Sequence, residues 1–356
     1  MAGPYIIYIY IYVIRVGTGR GETLGTEQRK NDHIRICMEK DVQFRKTAGF
    51  EKFSFPKHNA LPEMKLDDVK LDTVFLGRKF RVPLFIEAMT GGTPEAGKIN
   101  RNLAQAAQEL GIGMGLGSQR AMIERPELAN TYKVRDVAPD IFLAGNIGAV
   151  QLHGVSVKQV REALDDVEAD ALAVHLNPAQ EIAQKEGDRN FTGLLGKIEE
   201  LCGDVGYPVI AKEVGCGISG EVARRLESAG VKAIDVAGAG GTSWVKVDGL
   251  RGEKEEMEFA ETFGEWGIPT AQCLLECRTT VKIPLIASGG IRNGLDVAKA
   301  IAMGASIAGM ALPLLRPAVE SPRVVKNVLE KTIKELKSAM LLTGAGTIME
   351  LSKVKL

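Results

Sequence analysis

The sequence predicts an α/β fold, a single (β/α)8 (TIM) barrel, on three observations. From Pro83 onward, eight short apolar runs follow one another, separated by longer amphipathic stretches. Most of these runs are continuously apolar, which is typical of parallel strands that are buried on both faces. The third observation is the segment SGGIR at residues 288–292, directly after the seventh run. Turns after the late strands are where barrels commonly bind phosphate.

Each element can be placed on the sequence in order. The predicted strands are Leu84–Met89, Ile112–Leu116, Ile141–Asn146, Ala171–Leu176, Val209–Glu213, Ala233–Val236, Leu285–Ser288 and Ile307–Met310. Helices are predicted at Lys98–Leu110, Val157–Leu164, Gly193–Leu201, Gly220–Ala229, Gly294–Met303 and Ser321–Leu342. A doubly wound open sheet is the alternative, but it usually carries its glycine-rich segment after the first strand rather than the seventh.

The length and composition narrow the class of protein. The chain has 356 residues, which fits one barrel with extensions. Its 45 basic and 45 acidic side chains cancel, and so charge gives no argument for nucleic acid or a membrane as partner. Five cysteines without a C-x-x-C pair favour a reducing compartment, and we expect a cytoplasmic protein. Cys273 and Cys277 are interpreted as packed helix residues rather than a metal pair.

Residues 1–26 differ from the rest of the chain. Residues 6–14 read IIYIYIYVI, an apolar run without the flanks of a signal peptide and too short to span a bilayer as a helix. An extra edge strand, a self-association strand and a translation artefact are three interpretations, of which the first and third are favoured. We therefore predict an atypical extension over residues 1–26 and a single barrel domain over residues 27–356, which begins with a basic clamp segment.

A second irregular stretch runs from residue 242 to residue 280, between the sixth and seventh predicted strands. It begins glycine-rich and continues charged. A long loop in this position of a barrel is usually functional, often as a lid, and Trp244 favours a lid over a surface insertion. Residues 258–277 are predicted to be helical, with an interruption near Pro269.

Two late segments predict a phosphate site. Gly289 and Gly290 allow backbone N–H groups to approach a phosphate, and the following helix adds a favourable dipole. Ala311 and Leu312 follow the eighth strand, where the second half of such a site is expected. The pattern indicates a phosphate-bearing ligand without distinguishing a flavin phosphate from a sugar phosphate.

Polar side chains end other predicted strands. Lys212 lies in an apolar strand and therefore needs an anionic partner or a ligand. His175 and Asn177 share one face of the fourth strand end, and Gln180 and Glu181 follow in the loop. A single carboxylate is too little for a metal cage, but it fits a magnesium ion held mostly by water and substrate phosphates.

Residues 29–33 (RKNDH) precede the barrel and carry two cations and an imidazole. On a helix, Arg29, Lys30 and His33 would share a face and form a small clamp for an anion. Basic surface turns are common, and so this segment predicts an anion site only in combination with the other motifs.

Taken together, these motifs resemble the type 2 isopentenyl diphosphate isomerase family. The resemblance spans roughly residues 27–350. Its pieces are RKNDH at 29–33, EAMTGG at 87–92, GSQR at 117–120, HLNPAQE at 175–181, AKEVG at 211–215, AGAGGTSW at 237–244 and SGGIR at 288–292. The combination is highly specific, whereas SGGIR alone is similar to segments of other flavin-dependent barrels. The extension at residues 1–26 is a departure from the family pattern.

The resemblance implies an FMN enzyme of isoprenoid biosynthesis that interconverts isopentenyl and dimethylallyl diphosphate without net redox change. It implies Mg²⁺, reduction of the flavin by NADPH, and a homotetramer or homo-octamer. It assigns flavin contacts to Ala88, Met89, Thr90, Ser118, Asn146, Lys212, Thr242, Gly290, Ile291, Arg292, Ala311 and Leu312. It assigns substrate contacts to Arg29, Lys30, His33, Ser118, Gln119, Arg120, His175, Asn177 and Gln180, and the magnesium ion to Glu181.

Moving a double bond requires adding one proton and removing another in a site that excludes water. No side chain is an obvious strong acid among apolar groups, so we hypothesise that flavin N5 exchanges the protons. Gln180 is the predicted catalytic side chain, which positions the substrate or relays a proton.

The alternative is an FMN-dependent oxidoreductase of the hydroxy-acid oxidase or dihydroorotate dehydrogenase type. No histidine follows His175, which counts against the hydroxy-acid oxidases. A phosphate-binding barrel without catalysis, or a sugar-phosphate enzyme, is a third class.

Overall fold

The computed structural model describes residues 23–356, so the apolar run at residues 6–14 lies outside the described residues. The described chain opens with helix α1 (Thr23–Glu39), and residues 23–26 of the predicted extension therefore belong to a helix. Strands lie at β1 (Thr73–Phe75), β2 (Arg78–Phe80), β3 (Leu84–Ile86), β4 (Gly113–Gly115), β5 (Leu143–Gly148), β6 (Ala171–Leu176), β7 (Val209–Glu213), β8 (Ala233–Asp235), β9 (Leu285–Ala287) and β10 (Ile307–Met310).

One or more helices follow each barrel strand except β5, whose first α-helix comes after a short 3-10 turn. The helices after α1 are α2 (Pro94–Leu110), α3 (Arg120–Glu124), α4 (Val157–Asp166), α5 (Pro178–Ala183), α6 (Leu194–Asp204), α7 (Gly220–Ser228), α8 (Trp244–Arg251), α9 (Lys254–Phe263), α10 (Thr270–Thr280), α11 (Gly294–Ala302), α12 (Leu312–Glu320), α13 (Pro322–Thr343) and α14 (Ile348–Leu351). Helix α2 starts earlier than predicted, because Thr93 caps it through a bond from Ala96 N and Pro94 occupies the first turn.

Strands β3 to β10 close a parallel barrel in chain order, and β10 pairs back onto β3. The predicted (β/α)8 barrel is therefore confirmed, with each predicted strand present. The bounds of β6, β7 and β10 agree with the prediction residue for residue. Strand β3 ends at Ile86 rather than Met89, because residues 88–90 leave the sheet and line the cavity described below.

An antiparallel hairpin, β1–β2, which the sequence did not reveal, joins the aromatic cluster at the opposite end of the barrel from that cavity. It turns at Leu76 and Gly77, which have φ of 45° and 79°. Phe75 and Phe80 pack against Phe142 of the barrel interior, with ring centroids 5.7 Å and 5.8 Å apart. The buried cluster that they join is apolar throughout. This cluster therefore supplies no polar side chain to the barrel interior at that end.

The stretch from residue 242 to residue 280 folds into α8, α9 and α10, so the helix predicted over residues 258–277 is confirmed, whereas α8 and the start of α9 replace the predicted loop. The interruption predicted near Pro269 is confirmed, since α9 ends at Phe263 and α10 begins at Thr270. Ser243 caps α8 by accepting a hydrogen bond from Lys246 N. Helix α9 buries none of its residues completely, and Phe259 and Phe263 stack on its surface with ring centroids 4.6 Å apart.

The cysteine prediction is also confirmed. Cys273 and Cys277 are fully buried on one side of α10 and belong to the hydrophobic core. Within residues 23–356, no group of three His, Cys, Asp or Glu side chains is placed to hold a metal ion. Over the same residues, none of the helices has the length and apolar character needed to cross a membrane.

Candidate active site

A deep cavity opens at the carboxyl ends of the barrel strands. It contains about 1690 Å³ of atom-free space, including its open mouth. Helices α1 and α8 contribute to its wall, and every barrel strand supplies a residue at or just after its end, such as Glu87, Ser118, Asn146, His175, Lys212, Ala237, Ser288 and Gly309. All predicted site residues except Gln119 line this cavity.

The side chain of Gln119 turns away from the cavity, contrary to the prediction of a substrate contact. Its Nε2 donates to the carbonyl oxygen of Ala163 at 2.9 Å, and its Oε1 accepts from the backbone N–H of Asn146 at 2.9 Å. The residue is 1% exposed. Both ends of the amide therefore tie strand β5 to helix α4, and the motif gave no signal that neighbouring Ser118 and Gln119 face opposite ways.

The predicted phosphate segment forms a tight glycine turn. Gly289 and Gly290 have φ of 93° and 82°, which L side chains rarely adopt. A Cβ on Gly290 would lie 2.6 Å from the carbonyl oxygen of Gly240 and 2.8 Å from Cβ of Ala48. Only glycine fits there, and the turn leads into α11, whose N-cap Asn293 accepts from the N–H of Asp296.

Arg292 adds a cation to this turn. Its guanidinium donates to Gln43 Oε1 at 2.7 Å and to the carbonyl oxygen of Ile291 at 3.2 Å, both neutral acceptors. Burial lowers the pKa of Arg292 from its ordinary value. A partly buried guanidinium bonded to neutral oxygens suits an anionic ligand, as predicted for this segment.

Lys212 has the anionic partners that its sequence context required, and this expectation is confirmed. Its Nζ lies 3.3 Å from Asp235 Oδ2 and 3.6 Å from Glu87 Oε2, and all three side chains are buried. Burial alone would lower the pKa of Lys212, but the two carboxylates outweigh it and raise that pKa. Sequence reasoning did not single out either carboxylate, although each lies in an apolar strand end, as Lys212 does.

Glu213, the neighbour of Lys212, points out of the barrel. Its Oε2 accepts the backbone N–H groups of Val214 at 2.7 Å and Gly215 at 2.6 Å, as well as those of Cys216 and Gly217. The carboxylate therefore shapes the turn after β7 and is not the partner of Lys212. The opposite directions of the two side chains follow from the alternation of a strand.

His175 is held as a neutral imidazole. Its Nδ1 lies 2.7 Å from Asn146 Oδ1. Because an amide oxygen can only accept, the ring proton is assigned to Nδ1, and Nε2 is left as an acceptor. Burial lowers the pKa of His175 to about 3, and the Lys212 and Lys30 cations act in the same direction. A neutral ring can accept a hydrogen bond from a ligand but cannot pair with it as a cation.

Asp248 joins three elements behind the cavity wall. It accepts hydrogen bonds from His33 at 2.9 Å, from Gln180 Nε2 at 3.0 Å and from Arg251 Nε at 3.1 Å. The ring of His33 also packs edge-on against Trp244, with centroids 5.2 Å apart. Burial acts to raise the pKa of Asp248, but the His33 bond and the other donors lower it overall. Sequence reasoning missed this residue, because it lies in the irregular stretch without a motif.

The basic clamp at the mouth lies on α1, as the sequence predicted. Lys30 Nζ donates to the carbonyl oxygen of Ser118 at 3.2 Å and to the hydroxyl of Tyr132 at 3.0 Å. Burial and then the cation of Arg29 lower the pKa of Lys30 to about 7. Arg120 is half exposed and pairs with Glu124 at 2.6 Å. The clamp therefore contains an ammonium without a carboxylate bonded to it.

Glu181 faces the cavity from α5 with both oxygens hydrogen-bonded. Oε1 accepts from Asn177 Nδ2 at 2.9 Å, and Oε2 accepts from the N–H of Asp188 at 2.8 Å. Asn177 Oδ1 is buried beside it without a hydrogen-bond partner. Carboxylate and amide oxygens are the ligands that Mg²⁺ prefers, so these two residues fit the ion that the sequence suggested.

Comparison with known proteins agrees with this site. Residues 149–356 match the FMN-dependent dehydrogenase family. Among solved structures, mandelate oxidase with (S)-2-phenylpropionate superposes with a TM-score of 0.63 at 20% identity, covering 93% of this chain and 96% of that chain. A lactate oxidase (putative) from Pediococcus acidilactici gives a TM-score of 0.64 at 17% identity, covering 94% and 92%. Fold and site thus define a barrel of the FMN-dependent dehydrogenase class.

Closer relatives specify which member of that class it is. The isopentenyl-diphosphate delta-isomerase of Nostoc sp. is 51% identical over 92% of this chain and 94% of its own length. The isopentenyl-diphosphate delta-isomerases of Pyrococcus furiosus and Methanosarcina mazei are 49% and 47% identical over 92% of this chain, and over 86% and 90% of their own lengths. The chain belongs to the isopentenyl-diphosphate delta-isomerase family.

Proposed function

We propose that this protein interconverts isopentenyl and dimethylallyl diphosphate, using reduced FMN and Mg²⁺. The observation that carries the proposal is the presence of two separate anion-binding regions in one cavity. One region is the glycine turn with Arg292, and the other is the clamp of Arg29 and Lys30 on α1. A single phosphate ligand would need only one of them, whereas a flavin phosphate and a substrate diphosphate need both.

The residues at the strand ends fit FMN. The glycine turn and Arg292 would hold the phosphate, together with Ala311 and Leu312 at the start of α12. The ring would lie against other predicted contacts that line the same cavity, namely Ala88, Met89, Thr90, Ser118, Asn146, Lys212 and Thr242. Lys212 would offer its ammonium to the electron-rich edge of the ring.

The substrate diphosphate would lie under α1. Arg29, Lys30, His33 and Arg120 line the cavity together with His175, Asn177 and Gln180, and Asp248 joins His33 to Gln180. Glu181 would hold Mg²⁺, which would offset the negative charge of the diphosphate, since one carboxylate suffices when phosphates and water supply the other ligands. The Asn177 oxygen that lacks a partner supports this position.

The chain's own side chains would position the reaction rather than act as its strong acid. When bound, reduced flavin supplies a nitrogen that can exchange a proton and a flat face that stabilises positive charge. Gln180 is held by Asp248 and would orient the hydrocarbon end of the substrate against that face. Neutral His175 would accept a hydrogen bond. Trp244 and α1 cover the cavity and would exclude water, which otherwise traps a carbocation-like species.

Three further properties rest on the same proposal. We infer that a nicotinamide cofactor, NADPH, reduces the flavin, that the enzyme works in the cytoplasm, and that it forms a homotetramer or homo-octamer. Exposed Met257, Phe263 and Trp266 around α9 support self-association. All five cysteines, at positions 37, 202, 216, 273 and 277, have free thiols, which supports a reducing compartment.

An anaerobic assay tests the function. Purified protein is supplied with isopentenyl diphosphate, FMN, NADPH and Mg²⁺, and dimethylallyl diphosphate is measured. The proposal predicts product only when flavin, reductant and magnesium are all present. A lack of product under complete conditions would refute it, and turnover of a 2-hydroxy acid with flavin reduction would instead favour the oxidoreductase alternative.

A further inference from the structure

Three buried charged side chains meet at the cavity, of which Glu87 and Lys212 line it and Asp235 lies behind them. Glu87, Asp235 and Lys212 are 4%, 1% and 8% exposed. The single ammonium of Lys212 lies within 3.6 Å of a carboxylate oxygen of each acid. Two ionised carboxylates against one ammonium would leave an uncompensated negative charge inside the barrel, which is costly to bury.

The hydrogen bonds around these acids are incomplete. Asp235 Oδ1 accepts from Ser288 Oγ at 2.6 Å and from the N–H of Ala237 at 3.3 Å. In contrast, Asp235 Oδ2 and both oxygens of Glu87 are buried without a hydrogen-bond partner. Lys212 donates instead to the carbonyl oxygen of Glu213 at 2.8 Å. At least one donor is therefore missing from the set of acceptors around Lys212.

One proton would supply that donor and remove the excess charge. A protonated Glu87 can donate to Asp235 Oδ2, so that two of the unpartnered oxygens become partners of each other. Burial and then the neighbouring Asp235 raise the pKa of Glu87 well above its ordinary value. Two carboxyl groups that share one site ordinarily retain a proton in this way.

Other groups near the acids cannot take over this role. Gly309 packs on the Glu87 carboxyl so closely that any Cβ there would collide with it, which fixes the acid in place. His175 is neutral and already bonded to Asn146. Glu213 faces outward and is saturated by backbone N–H groups.

We propose that Glu87 and Asp235 share a single proton and act as one monovalent counter-ion that positions the Lys212 ammonium toward the cavity. The three groups are then electrically neutral as a set. Either acid can carry the negative charge when the other is neutralised. If the cavity holds FMN as proposed above, this set fixes the charge beneath the ring, and this consequence alone rests on the proposed function.

Infrared difference spectroscopy of the as-purified enzyme at pH 7.5 tests the shared proton. Spectra of wild type are compared with those of Glu87→Gln and of Asp235→Asn, in H2O and in D2O. We expect a protonated-carboxyl band in wild type that shifts in D2O and disappears in both variants. It disappears in Asp235→Asn because Glu87 must then ionise to balance Lys212. Exposed Glu258→Gln is the matched control and should leave the band unchanged.

Two outcomes would overturn the proposal. If Glu87→Gln leaves the spectrum unchanged, Glu87 is ionised in wild type, and if Asp235→Asn keeps the band, the proton belongs to Glu87 alone.

Thermal unfolding gives an independent measurement. The double variant, which leaves Lys212 without a counter-ion, should lower the midpoint by about 5 °C or more, exceeding the sum of the single shifts. Additive shifts would contradict a shared charge. Neither measurement depends on isomerase activity. The shared-proton proposal can therefore fail while the proposed function stands, and the reverse.

Discussion

Gln180 Nε2 donates to Asp248 Oδ2 at 3.0 Å, and Asp248 is fully buried outside the residues that line the cavity. The predicted catalytic amide is therefore oriented by a carboxylate that would not touch substrate. Because Asp248 also holds His33 and Arg251, one side chain fixes the relative positions of α1, α5 and α8.

The first prediction concerns this positioning. Asp248→Asn should lower kcat about 100-fold, because a small misplacement of a positioned group costs that much. The flavin content of the variant should be unchanged. In a double-mutant cycle with Gln180→Ala, the second substitution should add little, since both act through the same amide. Independent, multiplicative effects would show that Asp248 has only a structural role, and exposed Glu258→Gln provides the neutral control.

The second prediction concerns pH and substrate binding. The pKa of Lys30 is lowered to about 7 by burial and by Arg29. The free enzyme is therefore mostly uncharged at Lys30 at pH 8, whereas a bound diphosphate favours the ammonium form. Binding at pH 8 should take up a proton, and affinity should fall as pH rises above 7. Calorimetry in buffers of different ionisation enthalpy measures this uptake, which Lys30→Met should abolish. Equal uptake in Lys30→Met and wild type would contradict the assignment.

The third prediction uses two glycines with nearly the same backbone angle. Gly290 and Gly206 have φ of 82° and 80°, but a Cβ would meet backbone only at Gly290. Gly206→Ala should therefore lower the free energy of unfolding by only about 1 kcal/mol through backbone strain, and the variant should retain its flavin. Gly290→Ala should distort the phosphate turn and weaken FMN binding at least about tenfold. Flavin absorbance of the purified variants measures the difference, and equal flavin content would refute the assigned turn.

The fourth prediction concerns magnesium. Glu181→Gln removes the carboxylate charge and should raise the Mg²⁺ concentration for half-maximal activity at least about tenfold. Glu186→Gln is a suitable control, because Glu186 lies in the same region but pairs with Arg251 and Arg29. The result is read from Mg²⁺ titrations of both variants. An unchanged magnesium requirement in Glu181→Gln would place the ion elsewhere.

The barrel could be predicted from the sequence because its signals are local. Each buried parallel strand is a short apolar run, and strands such as Ala171–Leu176 were bounded correctly. The hairpin Thr73–Phe80 was missed because its strands have three residues each, too few for an alternation to be visible. Helix α9 was predicted only from residue 258 onward, four residues after its start at Lys254.

The site could be predicted only where a motif marked it. Strand ends such as Lys212 and His175 were found because polar residues interrupt apolar runs. Glu87 and Asp235 contact Lys212, and Asp248 contacts His33, across 23 to 215 residues of sequence, and no local pattern reports such pairs. Gln119 was misplaced for a related reason, since a turn rotates it away from its neighbour Ser118.

The central claim is that the two anion regions hold different molecules. It is tested by measuring flavin content and substrate KM in Arg292→Met and Arg29→Met, the latter at saturating FMN. Losing a charge-assisted hydrogen bond should weaken binding by about ten- to a hundredfold. Arg292→Met should lose flavin, and Arg29→Met should keep flavin while its KM for isopentenyl diphosphate rises. Loss of flavin from both variants, or an unchanged KM in Arg29→Met, would contradict the account.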